Sequence, residues 1–559
     1  MDTIYCTSCG NAMQNTAKFC TGCGTAVPEA PAEAVIAETP AEAVTPEAPV
    51  EAVTPEALPE AVVTEAAPVE AVAAETLAIT EEPFSLFGLD IKKLALLGGA
   101  GAALIIALIV SLVAFSPSQY NSLKGSIDIA QTESDRFFVV TSKGANIAVE
   151  GICVDYEVNI DGTKAAFLVS DEDSINGNTL YHVSGGRVSK ITEDVRSFWL
   201  ASSGNGIAFT KFEPGSDAAE LYLWTGSSPA RKISSDVLLF SRVVISPDGK
   251  TVGFTDMDDD GVIGAFFTNG KMTDLGRNFV PVGIADGAKY IYYTREDALF
   301  VQRGTNENTR LRLTGEFNGI EGFNKDMSQI VFSSYTRSFI SDRGRDPQAL
   351  AGHVYRFILP ANTAEFNGQR GTVYGVSSFK NTFYLNGDSS IIRVNNKFET
   401  ARVQGSVSSA FLADDGKTLT YMRNGRVERL DGTRTNAEPL RLVDGDAWSF
   451  VATAKGDAIF FINSDRDIMF QRGTSRAVVV EHDVSYYTQL TLFKGNTLFY
   501  VQDLDLYSSS GRGKTRISGL NGDVLGVSVD MFNVFVVLRD GREEMYYHST
   551  NGKSFSEIK

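Results

Sequence analysis

Four cysteines in the first 23 residues offer the plainest chemistry in the sequence. They fall as Cys6-Thr7-Ser8-Cys9-Gly10 and Cys20-Thr21-Gly22-Cys23-Gly24. Two C-x-x-C pairs can present four thiolates to one tetrahedral zinc ion, at Zn–S distances of about 2.3 Å. Glycine after each pair permits a left-handed turn that aims backbone amides at sulfur. So short a segment cannot bury a core, and bound zinc would supply its folding energy. With Cys6, Cys9, Cys20 and Cys23 filling the coordination shell, no position remains for a reactive water, so the expected role is structural. Redox dithiols are the competing reading, but such motifs come singly beside a βαβ pattern, which is missing here.

A second candidate is Asp256-Met257-Asp258-Asp259-Asp260-Gly261. Asp256, Asp258 and Asp260 match the first, third and fifth ligands of a calcium loop. The second half departs from it, because Gly264 and Phe267 stand where later oxygen ligands belong. A solvated acidic hairpin tip is the competing reading. Neither G-x-S-x-G nor H-E-x-x-H occurs. His182, His353, His482 and His548 lie in different repeat units and are expected to be structural. Cys153, in the apolar run GICVDYEV, reads as a core thiol. No catalytic residue and no organic cofactor is expected.

The doubled C-x-x-C-G, over residues 4–26, resembles the short zinc-ribbon domains found at the N-termini of many bacterial membrane proteins. The resemblance implies a structural or interaction module.

These residues need elements to hold them. After the ribbon (1–27), residues 28–83 vary on Pro-Glu-Ala-Pro-Val-Glu-Ala-Val, with 13 Glu and no Lys, Arg or Asp. Recurrent proline forbids a long helix and like charges repel, so this tract is expected to be an extended, disordered linker. It carries most of the formal charge of −19; the rest of the chain sets 56 acids against 50 bases. That near-neutrality leaves no basic footprint for nucleic acid. Beyond a juxtamembrane stretch (84–93), residues 94–115 are uncharged and mostly apolar, LALLGGAGAALIIALIVSLVAF. As a helix they would reach about 33 Å, enough to span a bilayer once. Lys92 and Lys93 flank one end and the next charge is Lys124, which puts the N-terminus in the cytoplasm and the C-terminal region outside. Thiolates for zinc also survive best in a reducing compartment.

Residues 126–559 repeat a turn followed by a strand. Copies include DGTKAAFLV from Asp161, DGKTVGFT from Asp248, DGAKYIYYT from Asp286, DGKTLTYM from Asp415 and KGNTLFYV from Lys494. Most spacings lie near forty residues with only strand patterns, which indicates β-propeller blades. One unit reads as a turn at 246–250, strands at 251–255 and 262–268, a third at 271–276 and a fourth at 279–285. ISPDGKTVGFTD (245–256) and DGAKYIYYTREDALFVQRGTNENTRLRLT (286–314) resemble WD40-like propeller repeats of the TolB type. About ten copies allow one large ring or two smaller ones. Tyr335–His353 interrupts the pattern and reads either as an insertion on a binding face or as a mere surface excursion.

The expected fold class is therefore all-β, with a zinc ribbon, a linker, one transmembrane helix and a large propeller. The expected function is non-enzymatic: an anchored cell-envelope scaffold whose outer propeller binds a protein or glycan. The alternative is an extracytoplasmic propeller enzyme, a glycan hydrolase or lyase, using carboxylates and arginine.

Overall fold

A computed structural model describes residues 3–5, 12–14 and 119–558, apart from 132–135, 145, 171–176, 213–217, 227–228, 239–241, 259–260, 297, 305–308, 312–315, 369–370, 433–437, 486–487 and 542. The chain divides into two compact units, 1–102 and 103–559. In the first, Thr3–Tyr5 pairs antiparallel with Ala12–Gln14, Tyr5 lying opposite Ala12. Cys6, Cys9, Cys20, Cys23, the acidic linker and the apolar run 94–115 lie outside the described residues. Among the described residues no helix is long and apolar enough to cross a membrane.

Among the described residues the second unit is built of strands, with one short 3-10 turn at Asp286–Ala288. Among the described residues its antiparallel strands form eleven successive blades, at 127–150, 152–200, 187–238, 244–277, 280–310, 317–349, 354–404, 409–443, 447–481, 491–516 and 523–557. The first blade has three strands and the others four. Arg187–Leu200 serves twice, pairing Asn178–Ser184 on one side and Ile207–Phe212 on the other. It thereby joins two blades into one continuous sheet.

Burial follows position in the blade. The second strands are covered on both faces, as in Gln329–Ser334 and Ala458–Asn463, every residue of which is buried. Their centres accordingly read as apolar runs, Ile330–Phe332 and Ala458–Ile462, rather than alternations. Fourth strands such as Gln348–Ala349 and Thr515–Arg516 are exposed. Tyr292, Tyr384, Tyr421 and Tyr500 stand on second strands and are fully buried. Such rings bring large apolar area, and their hydroxyls need partners. Tyr384 donates to the Ala351 carbonyl at 3.2 Å and Tyr500 to Glu481 at 3.1 Å.

Each blade packs on the next. Phe137 of the first meets Phe167 of the second edge-on at 5.3 Å. Tyr292 of the fifth lies 5.9 Å from Phe323 of the sixth, and Phe411 of the eighth lies 5.1 Å from Phe450 of the ninth. The eleventh returns to the first: Ile558 packs with Phe138 and Val140, and Ser126 donates to Asp530 at 2.9 Å. The cycle of blades is closed.

Two sequence expectations are corrected. Val280–Ile284 is not the fourth strand of its unit but the inner strand of the next blade, and Val244–Ile245 opens the blade instead. Tyr335–His353 is no insertion either, since it supplies the ordinary strands Ser338–Asp342 and Gln348–Ala349. The added segment follows it. Between the first and second strands of the seventh blade, residues 359–378 form a hairpin, Glu365–Gly368 with Gly371–Tyr374, which pairs in parallel with Phe317–Asn324.

Candidate functional site

The repeated turn, the loudest pattern in the sequence, joins the inner strand of a blade to its second strand and latches neighbouring blades together. Within the turn, a short polar side chain accepts the amides that the reversal leaves open. Asn159 accepts from the amides of Thr163 and Lys164 at 2.9 and 2.8 Å, and Asp415 does so for Lys417 and Thr418 at 2.7 and 2.8 Å. Between turns, backbone bonds run from blade to blade. Ile160 donates to Ser202 at 2.8 Å, Ser203 to Pro247 at 3.1 Å and Asp414 to Ala454 at 2.8 Å. The approach is so close that a Cβ on Gly249 would lie 2.5 Å from the backbone nitrogen of Gly206.

Of the calcium candidates, Asp256 lies within strand Val252–Asp258, opposite Ile263, and accepts the Ser234 hydroxyl at 2.9 Å. Asp258 ends that strand opposite Gly261, and Asp260 lies outside the described residues. The strand therefore runs three residues further than its sequence pattern suggests. Among the described residues no cluster of three metal-ligating side chains occurs.

The four histidines stand apart. His182 is buried against Trp224 at 4.9 Å, and His548 is buried 2.9 Å from Asn533. His353 contacts the Tyr335 carbonyl at 3.0 Å, and His482 contacts Asp467 at 3.1 Å. Cys153 packs against the apolar residues shared by the first two blades. Burial pushes its thiol up to about 11, so the nucleophilic thiolate is suppressed at neutral pH.

A cleft in the second unit has a volume of about 490 Å³. Its walls come from the inner strands Val354–Ile358 and Ser409–Leu412 and from the added segment 359–378. Phe357, Ile358, Pro360 and Phe411 supply apolar wall, while Arg356, Glu365, Thr363 and Tyr374 bring the polar groups. Tyr374 is fixed edge-on against Phe357 at 5.1 Å, and Phe357 stacks on Phe379 at 4.5 Å. Burial raises the Glu365 carboxyl above its ordinary range, and the Arg356 charge partly offsets this. The Thr363 side chain is buried and its hydroxyl has no hydrogen-bond partner among the described residues. That hydroxyl is out of reach of solvent, so its unmet bond is a local cost in the wall rather than a contact offered to a ligand. Sequence reasoning missed this site because its walls are assembled from separated segments.

A smaller cavity of about 50 Å³ lies where five successive blades, the second to the sixth, bring their inner strands together with the added hairpin. Glu157, Leu200, Val244, Val282, Phe323 and Phe366 line it. The Leu200 amide donates to Glu157 at 2.6 Å, yet burial outweighs this bond and pushes the carboxyl up to about 8.

No family model and no curated protein matches the chain. Solved structures similar to it include the tricorn protease, 12% identical over 78% of this chain with a TM-score of 0.27. The chain spans 58% of the length of that protease. TolB from Acinetobacter baumannii is 16% identical over 49% of this chain and 72% of its own, with a TM-score of 0.28. A GH74 enzyme from Niastella koreensis is 10% identical, covering 78% of this chain and 86% of its own, with a TM-score of 0.25. Likeness at this level says nothing about activity, and the propeller assignment stands on the blade order and packing of the chain itself.

Proposed function

We propose that the chain is a membrane-anchored, non-enzymatic binding protein or scaffold of the cell envelope. In this reading residues 1–93 face the cytoplasm and hold a structural zinc through Cys6, Cys9, Cys20 and Cys23. Residues 94–115 cross the bilayer once, and the propeller outside binds a protein or glycan. The strands Thr3–Tyr5 and Ala12–Gln14, which flank the first cysteine pair, support the ribbon. The apolar run and its flanking lysines support the anchor.

The observation that carries the binding role is the cleft beside the added hairpin, with its apolar wall and the Arg356 and Glu365 side chains. Fixed aromatic walls and a few convergent polar groups are what a recognition pocket requires. Crosslinking in cells, followed by identification of the captured molecule, tests this reading. Arg356→Ala and Glu365→Gln should each weaken capture several-fold while expression is unchanged. Thr363→Val should leave stability equal or higher by up to about 1 kcal/mol, because it removes an unsatisfied buried group. Equal capture by both variants would move the binding face elsewhere.

The raised Glu365 carboxyl favours a second reading, a hydrolase or lyase in which it acts as an acid. Glycoside hydrolysis commonly needs a second carboxylate facing the first, and Glu365 is the one carboxylate lining the cleft among the described residues. Robust turnover of glycans or peptides that is lost in Glu365→Gln would establish the enzyme.

A further inference from the structure

The seam between the ninth and tenth blades carries a cleft of about 720 Å³ whose charged lining is purely cationic. Arg472, Arg476 and Arg512 line it together with Ser475, Ser510 and Phe470, and no carboxylate does so among the described residues. A neighbouring hollow of about 390 Å³ shares Phe470, Arg472 and Ser510. It adds Lys455 and Lys494 against Asp414 and Asp457. We infer that this seam is a binding groove for an anionic polysaccharide whose carboxylate or phosphodiester groups are taken by the three arginines.

Three features support the assignment. The arginines sit on braced turns rather than on loose chain. Ser475 donates to the Arg472 carbonyl at 2.6 Å. Ser509 accepts the Gly511 amide at 3.0 Å and donates to the Gly513 carbonyl at 2.7 Å, which fixes the turn bearing Arg512. The backbone under each side chain is thus fixed, and guanidinium forks recognise oxyanions in two-point fashion.

The charge of the groove is also not cancelled locally. The buried carboxylate of the same seam, Glu481, is engaged by Lys514 at 2.6 Å and by Tyr500 at 3.1 Å. Arg472 makes only a long, exposed pair with Asp457, at 3.8 Å.

The molecule further contains its own contrast. Gln302-Arg303-Gly304-Thr305 repeats the sequence Gln471-Arg472-Gly473-Thr474. In the earlier copy, Arg303 is spent on the Gly344 carbonyl of the next blade. At the ninth blade the next turn instead presents Gly511 against the Phe470 ring, with Arg512 beside it. The same turn thus serves packing at one seam and an open cationic groove at the other.

Two connected hollows suit a polymer better than a single ion, and the choice of a glycan over other polyanions rests on the extracytoplasmic reading above. Titration calorimetry of the full chain in nanodiscs tests it, with polygalacturonate, poly(glycerol phosphate), neutral dextran and poly-L-glutamate as probes. Binding to polygalacturonate or poly(glycerol phosphate), whichever group the groove prefers, should weaken as salt rises, and dextran should not bind. Arg476→Ala with Arg512→Ala should lower affinity by about tenfold or more, while the paired lysine variants should recover part of it. Arg356→Ala, in the other cleft, should leave this binding intact and so separates failure here from failure of the proposed function. Melting curves check that the alanine pair is folded. Absence of binding to both anionic glycans, equal affinity of the alanine pair, or equal binding of poly-L-glutamate each overturns the assignment.

Discussion

Glu157 shows how a single side chain sets a condition on the whole unit. It ends against a cavity at which five blades meet, and its carboxyl titrates far above the ordinary value of 4.5. The folded chain therefore binds more protons than the unfolded chain between about 4.5 and about 8. Stability from this group is full below that window and is lost as pH rises through it. Denaturant titrations should show a decline of about 2 kcal/mol across the window, the figure being discounted because the carboxyl keeps some contact with water. Glu157→Gln should flatten the slope. Asp155, on the same strand and also raised by burial, adds a weaker slope at lower pH. Nothing local in GICVDYEV announces this, because an acidic residue on an inner strand resembles any polar position of an alternating strand until the blades are closed around it.

The turn is the element that the sequence states most clearly, and its meaning is mechanical. Gly249 holds a positive φ of 76° while its neighbour across the seam, Gly206, approaches within contact distance. Gly249→Ala should cost about 2 kcal/mol through both the backbone conformation and the clash, read as a lowered unfolding midpoint. The same turns made the propeller legible, since a strand pattern repeating near forty residues has few other solutions. Periodicity does not say which strand of a unit lies innermost, and so the reading was shifted by one strand at Val280–Ile284. The added hairpin was hidden for a related reason. Glu365–Gly368 and Gly371–Tyr374 look like blade strands, whereas the turn-rich Ser338–Ala349 looks irregular yet forms one. The clefts were not legible at all: Arg356 and Phe411 come from different blades, as do Arg476 and Arg512. At the N-terminus the element proposed is the ribbon. Purified full-length chain should carry one zinc, measured by mass spectrometry, and Cys9→Ser with Cys23→Ser should lose it. Melting of the propeller should be unaffected.

At the scale of the whole unit, closure depends on the meeting of the eleventh blade with the first, where among the described residues no strand is exchanged and the seam rests on packing and the Ser126–Asp530 bond. Phe138→Ala should therefore cost about 3 kcal/mol, and hydrogen exchange should rise first in strands 127–150 and 523–557. Chain preceding the first blade takes an unexpected course. The Asn121 amide donates to Gly375 at 2.6 Å, the Ala364 amide to Asn121 at 2.8 Å, and the Leu123 amide to Asn362 at 2.8 Å. The lead-in is thus stitched to the added hairpin, which holds Thr363, Glu365 and Tyr374 at the cleft. A tug on residue 119 would load those bonds in shear, together with the packing of Tyr120 against the seventh and eighth blades. Under the anchored reading proposed above, tension on the preceding chain would then reach the cleft walls as a change of shape.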